Sequence, residues 1–225
     1  MNISAEPEAR VLLEKTLKEA VWAAHTLFAR NKASGSSANI SFRIGDTVYI
    51  SASGTCFGTL TPEDFVAIRT DGTPADTAER KTDPASGGAA SAAACKASRK
   101  PSKEWPLHTM LYEKDSSVNA VIHTHSAYAV LWSFVPAEDE TDCIPPHTPY
   151  LRMKLGTVGL VPYEKPGSEA LFRAFRDRVQ KSDGFLLRQH GPVVPGKSML
   201  DAFYTLEELE DSARIAWELR NAGLS

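Results

Sequence analysis

Apolar residues recur at helical spacing over residues 7–32, with Val11, Leu12, Leu17, Ala20, Val21, Ala24, Leu27 and Phe28 on one side and Glu14, Lys15, Lys18 and Glu19 on the other. That period predicts an amphipathic helix with a packing role. The period then shortens. Asn39-Ile-Ser-Phe-Arg and Thr47-Val-Tyr-Ile-Ser flank a Gly45-Asp46 turn and predict a β-hairpin. In Thr61-Pro-Glu-Asp an N-cap hydroxyl precedes proline and acids, so a helix is expected there, with Phe65, Val66 and Ile68 covering the sheet. Further on, the pattern predicts a helix from near Glu104 capped by Ser102, and a strand over 120–125. An apolar helix over 127–135, a strand-like end to 151–161 and a helix over 169–181 follow. A strand over 184–190 and a long helix over 199–219 close the chain. The acidic runs at 139–142 and 207–211 read as solvated faces.

One stretch departs from this order. Residues 70–99 are rich in Ala, Gly and Ser and poor in large apolar groups, so they are expected to form a flexible insertion in a single domain spanning 1–225. A lid over a site is the alternative. At 225 residues, 42% hydrophobic and 24% charged, the chain can bury a substantial core. A net charge of −3 excludes a basic nucleic-acid face, and no apolar run is long enough to span a membrane. Three scattered cysteines, Cys56, Cys95 and Cys143, and a start without an export-signal pattern lead to the expectation of a reduced, cytoplasmic setting.

The chemistry concentrates around 100–126. On a strand, His123 and His125 would share one face with Cα atoms ~6.6 Å apart, a workable spacing for two ligands of one metal. Imidazole suits zinc, and an open zinc site takes three protein ligands. The third is either His190, at the end of an apolar strand and turned by Gly191, or His147 in a proline-rich loop. Glu104 reads either as an acid at a positive helix end or as a general acid/base beside a metal. The Ser51-Ala-Ser-Gly-Thr loop is either a connector or a cradle in which backbone N–H groups meet an oxyanion.

Asn39-Ile-Ser, the Ser53-Gly54 loop, Pro101-Ser-Lys-Glu104, Ala120-Val-Ile-His-Thr-His125 and His190-Gly-Pro together resemble the class II aldolase/adducin head family, which includes fuculose-phosphate aldolase. The resemblance implies an α/β fold, a single α/β/α sandwich around a central, largely antiparallel sheet. It also implies a homotetramer with sites near subunit interfaces. By motif, His123, His125 and His190 would bind Zn2+ or another divalent metal, with Glu104 as acid/base and further metal contact. Asn39, Ser53, Gly54 and Ser102 match the positions that hold substrate phosphate. Lys103 departs from the aldolase pattern, which has a second serine there. Within the family, that lysine, Thr148-Pro-Tyr150, Gly159-Leu-Val-Pro-Tyr163, Pro166-Gly and Glu207-Glu-Leu-Glu resemble the 3-oxo-tetronate 4-phosphate decarboxylases. The implied reaction is metal-dependent loss of carbon dioxide from a phosphorylated sugar acid, giving dihydroxyacetone phosphate through an enediolate. Glu104 or a tyrosine such as Tyr150 would be the proton donor. The alternatives are a sugar-phosphate aldolase or epimerase and a metal-free, adducin-like interaction module.

Overall fold

A computed structural model describes residues 5–75 and 99–224. Most of the expected insertion, with Cys95, lies outside the described residues. Its first residues turn back tightly: the Arg69 N–H donates to the Thr73 carbonyl at 2.8 Å, and Pro74 bridges to Ile68.

Helix α1 (Ala5–Ala29) is followed by the hairpin β1 (Asn39–Ile44) and β2 (Thr47–Ser51). The expected helix after Thr61 is instead one 3-10 turn (Pro62–Asp64) running into an edge strand, β3 (Phe65–Ile68). The cap signal itself holds. Asp64 Oδ2 accepts from the Thr61 N–H at 2.8 Å and from its hydroxyl at 2.9 Å. The aromatic and β-branched residues that follow, however, gain a strand partner in β2, and that pairing outweighs helix propagation.

Helix α2 (Trp105–Lys114), β4 (Ala120–His123) and α3 (Ala127–Trp132) come next, then α4 (Tyr150–Lys154), β5 (Val158–Val161) and α5 (Glu169–Arg176). Strands β6 (Gly184–Leu187) and β7 (Gly191–Gly196) precede the long helix α6 (Met199–Asn221). Ser102 is not the α2 cap. The cap position is Glu104, and Ser102 Oγ accepts from its N–H at 3.3 Å.

The strands form one seven-stranded sheet in the order β3-β2-β1-β4-β7-β6-β5, antiparallel except for the β5–β6 pair. Helices cover both faces, which makes this a single α/β domain. Residues Ile40, Phe42, Ala120, Ile122 and Val194 pack with α1, α3 and α6, while Val48, Ile50, Val121, Phe185 and Val193 pack with α2 and α5. The alternation of neighbours between the two cores follows from the twofold period of a strand. No helix among the described residues is long and apolar enough to cross a membrane.

The acidic stretches are not simply solvated. Glu140 pairs with Arg178 and Arg188, and Asp142 pairs with Arg152. Glu207 meets Arg30 on the outside of α6, but Glu210 points inward and is 4% exposed. Its carboxylate accepts from the backbone N–H groups of Tyr128 at 2.9 Å and Ala129 at 2.8 Å. It thereby satisfies donors that the first turn of α3 leaves open. Glu210→Ala should cost about 2–3 kcal/mol in chemical denaturation, because two buried N–H groups lose a charged acceptor, and Glu210→Gln should cost less.

Candidate functional site

Three strand ends meet at one end of the central strands β1, β4 and β7. Asn39 stands opposite His123 in the β1–β4 ladder, and His123 stands opposite Val193 in the β4–β7 ladder. Since Ile122 belongs to the core under α1, alternation turns His123 to the other face, beside Asn39 and Ser41.

His123 is fully buried, and its Nδ1 lies 2.8 Å from the Pro192 carbonyl. A carbonyl only accepts, so Nδ1 carries a hydrogen, and in the neutral ring Nε2 is the nitrogen that offers a lone pair to the site. That Nε2 is 3.3 Å from His190 Nε2 and 3.3 Å from Glu104 Oε2, while His190 Nε2 is 3.4 Å from Glu104 Oε1. The imidazole centroids of His123, His125 and His190 are 4.7–5.1 Å apart. One ligand atom from each of Glu104, His123, His125 and His190 lies within 4.8 Å of the others.

Two of these side chains arrive differently from the strand picture. The strand ends at His123, so His125 comes from the turn that leads into α3. His190 lies in the β6–β7 connection, after Gln189 at φ +57°. Gly191 allows the close approach of the two turns, for a Cβ there would sit 2.0 Å from the Thr124 carbonyl oxygen. His147 is exposed and outside the cluster.

Burial opposes protonation of His190 and His125. His190 is pushed down to about 3 and His125 to about 4, in each case first by burial and then by the positive charge His123 would carry. Burial alone would raise the Glu104 carboxyl, but His123, His190 and the Asn39 amide outweigh it and hold it at about 2. Glu104 is therefore ionised at neutral pH. Among the described residues, the protonatable groups that meet its oxygens are His123 and His190. Glu104 Oε1, His125 Nε2 and His190 Nδ1 are buried without a hydrogen-bond partner among the described residues. A carboxylate and converging imidazole lone pairs, with no lysine or arginine to balance them, form a donor set that fits a divalent cation.

Residues 18–217 match the class II aldolase and adducin N-terminal domain family. The chain belongs to this family. It is 32% identical over 209 residues to the 3-oxo-tetronate 4-phosphate decarboxylase of Escherichia coli K12, covering 92% of this chain and 89% of that one. It is 30% identical over 189 residues to the L-fuculose phosphate aldolase of Methanocaldococcus jannaschii, covering 84% and 88%. The crystal structure of YgbL from Klebsiella pneumoniae superposes with a TM-score of 0.78 at 30% identity, covering 92% and 90%.

In this family member the residues expected at the anion site are unevenly placed. Ser53 and Gly54 line a cleft of about 420 Å³ together with Thr55, Cys56 and Arg99. The Ser53 N–H already donates to the Lys100 carbonyl at 2.9 Å, and the Thr55 N–H to Ala52 at 3.3 Å, so the backbone cradle is smaller than the loop sequence suggests. Ser102 is tied alongside, its N–H donating to the Ser51 carbonyl at 3.1 Å. Lys103 is exposed, with Gly167 near its Cβ. Asn39 is buried, and its Nδ2 donates to Glu104 Oε2 at 3.1 Å, so one amide hydrogen remains for a ligand. Tyr150 is not brought to the cluster, since it opens α4 and is 60% exposed.

Sequence reasoning gave His108 no role. In the structure it is fully buried behind the site, with Asn39 at one ring nitrogen and Ser41 at the other. The signal was present in two periods together: positions 39 and 41 on one strand face, and 104, 108 and 112 on one helix face.

Burial pushes His108 down to about 3, so it stays neutral in the fold while an unfolded histidine titrates near its ordinary value. Between these values the unfolded chain binds the extra proton, so stability falls as pH falls. With metal removed, this residue should account for about 2 kcal/mol of the stability lost between about pH 8 and pH 5. Denaturation of His108→Gln at the two pH values should show that share missing.

Proposed function

We propose that the chain is a metal-dependent decarboxylase of a 3-oxo-tetronate 4-phosphate, producing carbon dioxide and dihydroxyacetone phosphate. The observation that carries this reading is the Glu104, His123, His125 and His190 cluster in a chain 32% identical to the Escherichia coli decarboxylase.

A divalent metal held by the three histidines, zinc in our reading, would supply electron withdrawal at the substrate ketone. Ser53, Gly54, Ser102 and the free amide hydrogen of Asn39 would hold the phosphate. Lys103 would add a point charge for the phosphate or carboxylate. The C1–C2 bond then breaks, its electron pair enters the C2–C3 bond, carbon dioxide leaves and an enediolate remains. A proton delivered to C2 completes the product. An ionised Glu104 is a base at rest, so it protonates C2 only after taking up a proton itself. Tyr150 is the second candidate donor, and its exposure suits a hydroxyl presented across a subunit boundary in a homotetramer. A reducing, cytoplasmic setting fits the free Cys56 and Cys143, the latter buried with its thiol pushed up to about 12.

The ionised state of Glu104 also favours a second reading, aldol cleavage of a sugar phosphate, in which the carboxylate would first accept a hydroxyl proton. Purified protein incubated with 3-oxo-tetronate 4-phosphate should release carbon dioxide. Chelation should abolish the release, and added zinc should restore it. No release, together with cleavage of fuculose 1-phosphate, would decide for the aldolase. In a separate test, Lys103→Ser should raise KM for the phosphorylated acid by about tenfold, the equivalent of ~1.4 kcal/mol of lost binding. Unchanged kinetics would remove Lys103 from the site.

A further inference from the structure

Five buried groups form a single polar chain across the β1–α2 boundary. Tyr112 OH lies 2.6 Å from Ser41 Oγ, which lies 2.7 Å from His108 Nδ1. His108 Nε2 lies 2.5 Å from Asn39 Oδ1, and Asn39 Nδ2 lies 3.1 Å from Glu104 Oε2. None of the five residues is more than 7% exposed. The chain exists because positions 39 and 41 share one strand face while 104, 108 and 112 share one helix face.

The hydrogens in this chain run one way. A carboxylate can only accept, so Asn39 turns its N–H towards Glu104 and its carbonyl oxygen towards His108. That oxygen can only accept, so His108 Nε2 carries a hydrogen. Complete burial keeps the imidazole neutral, so Nδ1 is the acceptor and takes the Ser41 hydroxyl hydrogen. With its own hydrogen committed, Ser41 accepts from the Tyr112 O–H. At every link a donor then faces an acceptor, which is the condition under which a buried polar network holds a single arrangement.

The far end of the chain is where it matters. Asn39 engages Oε2 of Glu104, while Oε1 is buried and receives no hydrogen bond from the described residues. We infer that His108 is a positioning residue: by fixing the Asn39 amide it holds Glu104 through Oε2 and leaves Oε1 as the oxygen that exchanges a proton with the substrate. This rests on the reading of Glu104 as the acid/base of the proposed reaction. A reversed Asn39 amide would set two acceptors against each other at Glu104 and release the carboxylate from its fixed orientation.

Nitrogen NMR of the whole protein with isotope-labelled histidine tests the chain without reference to any reaction, with the His108 signals assigned by their loss in His108→Gln. Near neutral pH, His108 should appear as the neutral tautomer with hydrogen on Nε2 and a lone pair on Nδ1. The opposite tautomer, or an imidazolium, overturns the inference. The kinetic arm compares two variants. His108→Phe should lower kcat by about tenfold or more with KM within about twofold, because orientation of a proton-transfer group is lost and substrate binding is not. His108→Gln, whose amide N–H can replace Nε2–H, should recover most of kcat. If the glutamine variant is no better than phenylalanine, or if KM rises as kcat falls, His108 only fills space and the inference fails. Wild-type protein that releases no carbon dioxide would count against the proposed reaction, and the tautomer measurement would still decide on the chain. Loss of signal in His108→Phe gives the same assignment, so the tautomer measurement stands if one of the two variants fails to fold.

Discussion

Strand β4 is hydrogen-bonded on both sides, to β1 and to β7, and all four of its residues are buried. A one-residue slip in either ladder would send His123 into the apolar core under α1 and bring Ile122 to the site. Register therefore decides where the imidazole points, and the Pro192 carbonyl on the neighbouring strand decides which nitrogen it offers. The turn carrying His125 follows directly from the end of β4, and the turn carrying His190 runs directly into β7. Both inherit their position from the same ladder.

The sheet and the helix contribute opposite kinds of chemistry. Strand ends and their turns bring imidazoles, and the start of helix α2 brings a carboxylate held ionised by what surrounds it. Neither arrangement is favourable alone: burial opposes charge on each group, and four converging donors repel. Their proximity makes sense as a site for a cation, because a positive charge at the centre satisfies all of them together. Glu210 plays a quieter part by anchoring the first turn of α3, and so the exit of the His125 turn, to the long C-terminal helix.

Much of this was legible along the chain. His123, His125, His190 and Glu104 announce themselves because each stands at the end of a periodic segment with a glycine, proline or hydroxyl beside it. The errors have physical causes. Thr61-Pro-Glu-Asp carries a genuine cap signal, and nothing local reveals that an edge strand would win the residues after it. Glu210 looks like its neighbours Glu207 and Glu208, because burial of one member of an acidic run depends on which helix face meets α3. His108 received no role, since its partners lie 67 and 69 residues away in sequence and only strand pairing brings them near. Lys103 and Tyr150 show the converse: motif resemblance singled them out, and within one chain neither is drawn into the cluster.

The order of the strands has a bearing on how the protein comes into being. β7 sits between β4 and β6 in space but follows both in sequence, so the middle of the sheet stays open until the last strand has been made and inserted. Pairings that span long stretches of chain are slow, and an unpaired strand edge is exposed to wrong partners while it waits. The same insertion delivers His190 to His123. A nascent chain on the ribosome that has not released this strand holds only part of the Glu104, His123, His125 and His190 cluster, so capture of a metal there would be tied to the closing step of folding.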